Sequence, residues 1–350
     1  MKAFLATRKG LIVMKPVASG WDVEKAHFDG VKVTYVVADS KKAGWVWAGL
    51  NHGHWGPKLH VSKNKGKTFE EVATPTFPES GKDKLREIWA VTRDSKGRIY
   101  VGTDPAALFY SDDDGKSWTL LPGFYNIDTR DRWVSGGTEG ACAHSILINP
   151  EDDNNMIVGI SVGGVLETKD RGKTWKYITK GMKAYFMPNP DEEVTQDPHL
   201  VERAPSNPNV LWQQNHCGIY KSENGGQDWK ELNKAKGVKS AFGWAVAIDE
   251  KNADIAYTIP ALSDETRVPV QKKLIVQKTT NGGKSWKVIS KGLPQKHCYD
   301  IVLRHALSKN NKNLIFGSST GHVYFSKNEG ESWKQLKHQF APIYAVKFLP

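Results

Sequence analysis

Cysteine is scarce in this 350-residue chain: Cys142, Cys217 and Cys298 are the only three. An odd number of widely separated cysteines cannot form a closed disulfide framework, so the expectation is a reduced, cytoplasmic protein. No apolar run reaches the roughly 18–20 residues of a membrane span. The opening MKAFLATRKGLIV has neither a signal-length apolar core nor a small-residue cleavage site. Blocks of like charge are also missing. The net charge of +11 comes from 49 Lys+Arg against 38 Asp+Glu spread along the chain. That distribution suits a solvated basic surface and argues against a nucleic-acid partner.

What is abundant is glycine, with 32 residues, and tryptophan, with 13, in a chain that is 39% hydrophobic. This composition belongs to a folded, turn-rich protein. An eight-residue pattern explains much of it. SDDDGKSW (111–118) has five relatives: SKNKGKTF (62–69), TKDRGKTW (168–175), SENGGQDW (222–229), TTNGGKSW (279–286) and SKNEGESW (326–333). The shared template is Ser/Thr, any, Asp/Asn, any, Gly, any, a small or polar residue, then an aromatic. Asp or Asn can bond nearby backbone amides, glycine permits positive φ, and the aromatic buries a large apolar area.

Around each copy lie four short strand signals. For the second copy they are 88–93, 98–103, 107–111 and 118–121. Further first strands are expected at 33–38, 144–149, 199–203, 244–249 and 300–305, with second strands such as 156–161 and 314–318. A repeat of about 40–55 residues with four strands is the signature of propeller blades. Six units follow directly. A seventh needs both chain ends: 343–350 reads as a first strand, and 3–7, 10–14 and 21–24 as its three partners. The expectation is an all-β, seven-bladed β-propeller in one domain, residues 1–350, with residues 1–24 and 343–350 sharing the closing blade.

The template resembles the Asp-box, or BNR repeat, of the sialidase-like superfamily. The loops NHGHWGPKLH, GTDPAALFYS, QQNHCGIYKS and DIVLRHAL look like a bacterial single-propeller group often labelled exo-α-sialidase or glycosyl hydrolase. The resemblance implies the fold. It implies no established reaction, because this superfamily includes sialidases, other glycosidases, assembly factors and receptors. Sialidase activity itself is disfavoured, since six blades and an Arg-Ile-Pro tripeptide typify those enzymes and the tripeptide is absent here.

In that fold the boxes occupy an outer rim, and a site is expected on the opposite face, over the central channel. That face collects His52, His54, His144, His199, His216, His297 and His305, seven of the eleven histidines, together with all three cysteines. Candidate catalytic residues, as general acids or bases, are His54, His144, His199, Asp197 and Glu139. Candidate substrate-binding residues are Arg8, His52, Trp55, Arg86, Asp104, Arg132, Trp133, Asn215 and Arg304, which combine anion-gripping arginines with indole for sugar stacking. His216, His297 and Cys298 are candidate ligands of a divalent transition metal. Three readings follow: a glycosidase-like hydrolase or lyase acting on a sugar-derived or small anionic substrate, a non-catalytic propeller that binds a protein partner, and a metal-binding propeller. SDDDGKSW itself reads as a turn, because only its middle Asp is kept as Asp or Asn in the sister copies.

Overall fold

The computed structural model describes residues 1–134 and 140–349. The chain packs as two compact units, Val31–Pro198 and Met1–Gly30 with His199–Pro350. Every sheet is a four-stranded antiparallel meander, and there are seven of them, the blades of a β-propeller.

The unit Val31–Pro198 contributes three sheets. They are Lys32–Ala38, Val46–His52, Gly56–Ser62 and Glu70–Val72; Glu87–Arg93, Ile99–Asp104, Leu108–Ser111 and Thr119–Leu120; and Ala143–Asn149, Asp152–Ile160, Gly164–Thr168 and Lys176–Tyr177. The other unit contributes four. Three are consecutive: Pro198–Arg203, Leu211–Asn215, Gly218–Ser222 and Lys230–Glu231; Gly243–Ile248, Ala256–Pro260, Val276–Thr279 and Lys287–Ile289; Leu307–Asn310, Asn313–Gly317, Val323–Ser326 and Lys334–Gln335. The fourth joins the chain ends. Ile343–Leu349 pairs antiparallel with Lys2–Thr7, which continues into Gly10–Val17 and Gly20–His27. The shared closing blade expected from the sequence is therefore present. Its missing box is replaced by a tight hairpin, with Val17 opposite Gly20.

Inner strands are buried on both faces, which is why they read as continuous apolar runs and not as alternation. Ile99–Asp104 is buried throughout. Its Gly102 has no room for a side chain: a Cβ would run into the carbonyl oxygen of Ala143 in the next sheet. Large aromatics fill the space between sheets, as where Trp212 meets Trp286 edge to face at 6.0 Å.

The box turns are built by side chains. In SDDDGKSW the Gly115 amide donates to Ser111 Oγ (2.9 Å), Ser111 Oγ donates to Asp113 Oδ1 (2.7 Å), and Asp113 Oδ1 accepts the Ser117 amide (3.0 Å). The same three bonds recur in the other copies, for example at Ser326, Asn328, Gly330 and Ser332. Thus the first-position hydroxyl, as well as the Asp or Asn, closes the turn. Asp112 pairs with Arg98, and Asp114 pairs with Lys42 and Arg93. The three carboxylates diverge to different partners.

One first strand differs from expectation. Residues 300–305 do not form it; the strand is Leu307–Asn310. The cause is the buried Asp300, whose carboxylate takes hydrogen bonds from Tyr324 Oη (2.7 Å), Ser318 Oγ (3.3 Å), the Thr320 hydroxyl and His322 Nδ1 (3.0 Å). Satisfying that carboxylate diverts the backbone from a ladder. Among the described residues, no helix is long and apolar enough to cross a membrane.

Candidate functional site

In a four-stranded meander, the second-to-third connection and the link to the next sheet leave from the same end. Two polar clusters are built there, one in each unit.

The first lies in Val31–Pro198. Arg86, just before Glu87–Arg93, places its guanidinium on Asp104, at the end of Ile99–Asp104, with Nε–Oδ1 at 3.1 Å. Asp104 is 3% exposed. The segment after Thr119–Leu120 adds a 3-10 turn, Arg130–Arg132. With three residues per turn, positions 130 and 133 face the same way and 132 does not. Accordingly Arg130 reaches Asp83 (Nη2–Oδ2, 2.8 Å) and lies over the Tyr125 ring at 4.3 Å, while Arg132 pairs outward with Glu192. Tyr125 Oη also donates to Asp83 (2.9 Å); burial first, then Asp83, pushes that phenol up. Trp133 is 9% exposed, and its Nε1 donates to Tyr177 Oη at 3.0 Å. Arg86, Asp83, Arg130, Trp133 and Ala106 line a cleft of about 250 Å³. A larger cleft of about 720 Å³ lies at the other end of the sheets, among the box turns around Asn224 and Lys284.

The second cluster lies in the unit that includes His199–Pro350. His199 sits at the start of Pro198–Arg203, and its Nδ1 donates to the Gly243 carbonyl at 2.6 Å. A carbonyl only accepts, so Nδ1 carries the proton and Nε2 the lone pair. The ring stacks on Trp244 (5.8 Å, 13°) and meets Phe242 and His216 edge-on at 5.6 and 5.5 Å. His216 occupies the tip of the turn between Leu211–Asn215 and Gly218–Ser222, with Nε2 3.5 Å from Asp264 Oδ2. Arg267 lies over Trp244 at 5.8 Å.

The remaining candidates are placed as follows. His144 is buried, with Nε2 on the Pro198 carbonyl (2.8 Å) and Nδ1 on Ser145 Oγ (2.9 Å), so both ring nitrogens hold the fold. Asp197, two residues before His199, is buried and accepts the Val162 amide at 3.1 Å. Asn215 is buried and shapes its turn through the Cys217 amide. Arg304 is also buried, whereas Arg8 is exposed. His52 Nδ1 accepts the amides of His54 and Trp55, folding a loop on which Trp55 is 70% exposed. Glu139 lies outside the described residues.

The proposed ligand trio is not assembled. Among the described residues, neither His297 nor Cys298 joins His216 in a group of ligating side chains, whereas His199 does. His297 is exposed on a positive-φ backbone, and Cys298 is buried, its thiol pushed up to about 11 chiefly by that burial.

Residues that sequence reading missed are Asp83, Arg130, Phe242, Trp244 and Asp264. Aromatics at 242 and 244, flanking the start of a first strand, were the available signal for the second cluster. For Arg130 the signal was its three-residue spacing from Trp133.

Comparison with known proteins agrees with this architecture. The BNR/Asp-box repeat model matches residues 109–120. An oligoxyloglucan-reducing end-specific xyloglucanase of Emericella nidulans is 26% identical over 122 residues, 34% of this chain. A probable enzyme of the same name from Neosartorya fischeri is 28% identical over 122 residues, again 34% of this chain. The chain spans only 14% of the length of these curated relatives. Among solved structures, YCF48 bound to D1 peptide aligns with TM-score 0.56 at 16% identity, covering 87% of this chain and 81% of that one. The GH74 enzyme of Niastella koreensis aligns with TM-score 0.57 at 12% identity, covering 99% and 65%. At these identities the likeness establishes the fold. Six boxes, seven four-stranded blades and the repeat-model match at residues 109–120 together make this chain a seven-bladed β-propeller that carries BNR/Asp-box repeats.

Proposed function

We propose that this chain is a glycosidase-like propeller that binds an anionic, sugar-derived ligand in the cleft of Arg86, Arg130 and Trp133. The observation that carries this reading is the cleft itself: two guanidinium groups and an indole around about 250 Å³. Each guanidinium is oriented by its own carboxylate, Arg86 by Asp104 and Arg130 by Asp83. Donors fixed in this way meet a ligand carboxylate without first losing rotamer freedom. The volume lies just below the roughly 300–1,000 Å³ of drug-sized pockets, which suits one sugar ring. Glycoside cleavage needs two carboxyl groups flanking the bond. Here the buried Asp104 and the half-buried Asp83 both face arginines, so the geometry favours holding an acid over cutting a glycosidic bond. The likeness to xyloglucanases supports a carbohydrate ligand.

Calorimetry with glucuronate and glucose tests the reading. Glucuronate is expected to bind at least tenfold tighter than glucose, and Arg130→Gln to weaken it about 10–100-fold, the value of a charge-assisted bond. Equal binding of the two sugars, or an Arg130→Gln variant with unchanged affinity, overturns it.

A protein partner is the second reading, favoured by exposed aromatics on connections at that same end of the sheets. In Val31–Pro198, Trp55 is 70% and Tyr185 60% exposed, and aromatic residues are enriched at partner surfaces. The likeness to YCF48 bound to D1 peptide supports it. If partner recovery in co-purification is unchanged by Trp55→Ser and Tyr185→Ser, this reading fails.

A further inference from the structure

We infer that His199 and His216 form a binding site for a borderline divalent transition metal, of the zinc, cobalt or nickel class, separate from the arginine cleft. The donors are His199 Nε2 and His216 Nδ1. The argument begins with the opposite nitrogen of each ring. His199 Nδ1 is 2.6 Å from the Gly243 carbonyl, which fixes the proton there and the lone pair on Nε2. His216 Nε2 lies 3.5 Å from Asp264 Oδ2, an anion that draws the N–H to Nε2 and leaves the lone pair on Nδ1. Metal-bound histidines are held in this manner, with the second nitrogen on a carbonyl or a carboxylate that fixes the tautomer and raises ligand basicity.

The spacing fits. Ligand atoms of His199 and His216 lie within 4.8 Å of each other, and the rings meet at 5.5 Å and 74°. Two nitrogens at about 2.0–2.1 Å from one tetrahedral ion stand about 3.4 Å apart. His216 stands at the tip of a hairpin, with its side chain 23% exposed. His199, 3% exposed and stacked on Trp244, is the fixed half of the site. Phe242 stands edge-on to both rings at 5.6 Å, an apolar wall that limits water. Paired imidazoles select borderline metals, whereas calcium and magnesium require oxygen cages. The exposed side of His216 supplies the approach from solvent, and water completes the coordination.

The test uses the tag-free 350-residue chain, stripped with chelator and then titrated with Co²⁺ and Zn²⁺ by calorimetry and by the visible absorption of bound cobalt. One equivalent is expected to bind. His216→Gln, at a half-buried turn, is expected to keep the circular dichroism of the parent and to weaken binding at least tenfold. Asp264→Asn, which removes only the orienting anion, is expected to weaken it about 10–100-fold. His297→Ala and Cys298→Ser are expected to bind as the parent does. The inference is overturned by the absence of saturable binding, by unchanged binding in His216→Gln, or by loss in His297→Ala. Because the arginine cleft takes no part, sugar-acid binding is expected to survive His216→Gln.

Discussion

Arg93 and Asp39 form an ion pair sealed from solvent, with Nε–Oδ2 at 2.8 Å and side chains 2% and 0% exposed. Asp39 also accepts Trp47 Nε1 at 2.9 Å and the amides of Lys41 and Lys42, while Arg93 Nη1 reaches Asp114, the third member of the acidic triplet. Burial pushes the Asp39 carboxyl up, but the bonds from Trp47, Lys41 and Arg93 outweigh it and hold the group below its ordinary value. Deleting one partner strands the other charge in the interior, at a cost of about 3–5 kcal/mol. Arg93→Met is therefore expected to lose stability on that scale in urea unfolding. Arg93→Met combined with Asp39→Leu should lose less than the sum of the two changes. Because the folded value of Asp39 is lowered, its contribution is complete above the unfolded carboxylate value and fades as pH falls through the folded one. A loss below about 1 kcal/mol for Arg93→Met would show that this pair does not secure the sheet.

The box carboxylates make a different prediction. Thr174 Oγ1 and the Thr174 amide, aided by Thr168 Oγ1, lower the Asp170 carboxyl to about 2. In sister copies Asn224 and Asn281 make the equivalent bonds. At neutral pH Asp170→Asn should thus unfold thermally close to the parent, and Asp170→Ala at lower temperature. The parent should lose part of its advantage over Asp170→Ala as pH falls from about 4 toward 2. Asp170→Asn should keep its own. Identical pH profiles for the Asn and Ala variants would remove the hydrogen-bonding role assigned to this position.

Two glycines with similar backbones separate strain from crowding. Gly30 has φ +84° with nothing near its missing Cβ, and Gly292 has φ +83° with the Trp333 carbonyl oxygen in the way. Gly30→Ala should cost only the left-handed penalty of about 1–2 kcal/mol. Gly292→Ala must also displace the backbone beside Trp333, which is 3% exposed, and should lower the unfolding temperature well beyond it. Similar melting temperatures for the two variants would mean that the Trp333 turn yields freely.

These relationships show why the fold was legible and the sites only partly so. A box turn is local: its hydroxyl, Asx and glycine act within eight residues, so each copy announces itself and their spacing counts the blades. The misplaced strand at 300–305 failed because Asp300 draws donors from Ser318, Thr320, His322 and Tyr324, some twenty residues away. Cys142 stands two residues from His144 and Cys298 next to His297, yet the structure buries both cysteines, with the Cys142 thiol on Ser161 Oγ at 3.0 Å. His199 and His216 were both named as candidates. Their partners Asp264 and Phe242 were not, since they come from another sheet's connections, and no spacing rule links those to position 216.

The chain ends make the last prediction. Ile343–Leu349 runs beside Lys2–Thr7 from Lys2 opposite Leu349 to Thr7 opposite Ile343, with a bulge between Ala6 and Thr7. Ile343, Ala345 and Val346 are fully buried, and Phe348 meets the Trp21 ring at 5.6 Å. A chain ending at residue 341 would uncover this apolar surface and leave Lys2–Thr7 as an unpaired edge, a template for aggregation. Apolar contact alone, at about 25 cal/mol per Å² of buried area, gives the strand several kcal/mol to lose. The truncated chain is expected to form soluble aggregates in size-exclusion chromatography, and a peptide of residues 340–350 added during refolding should restore the parent's elution volume. A truncated chain that elutes and melts with the parent would show that the fold holds without this shared blade.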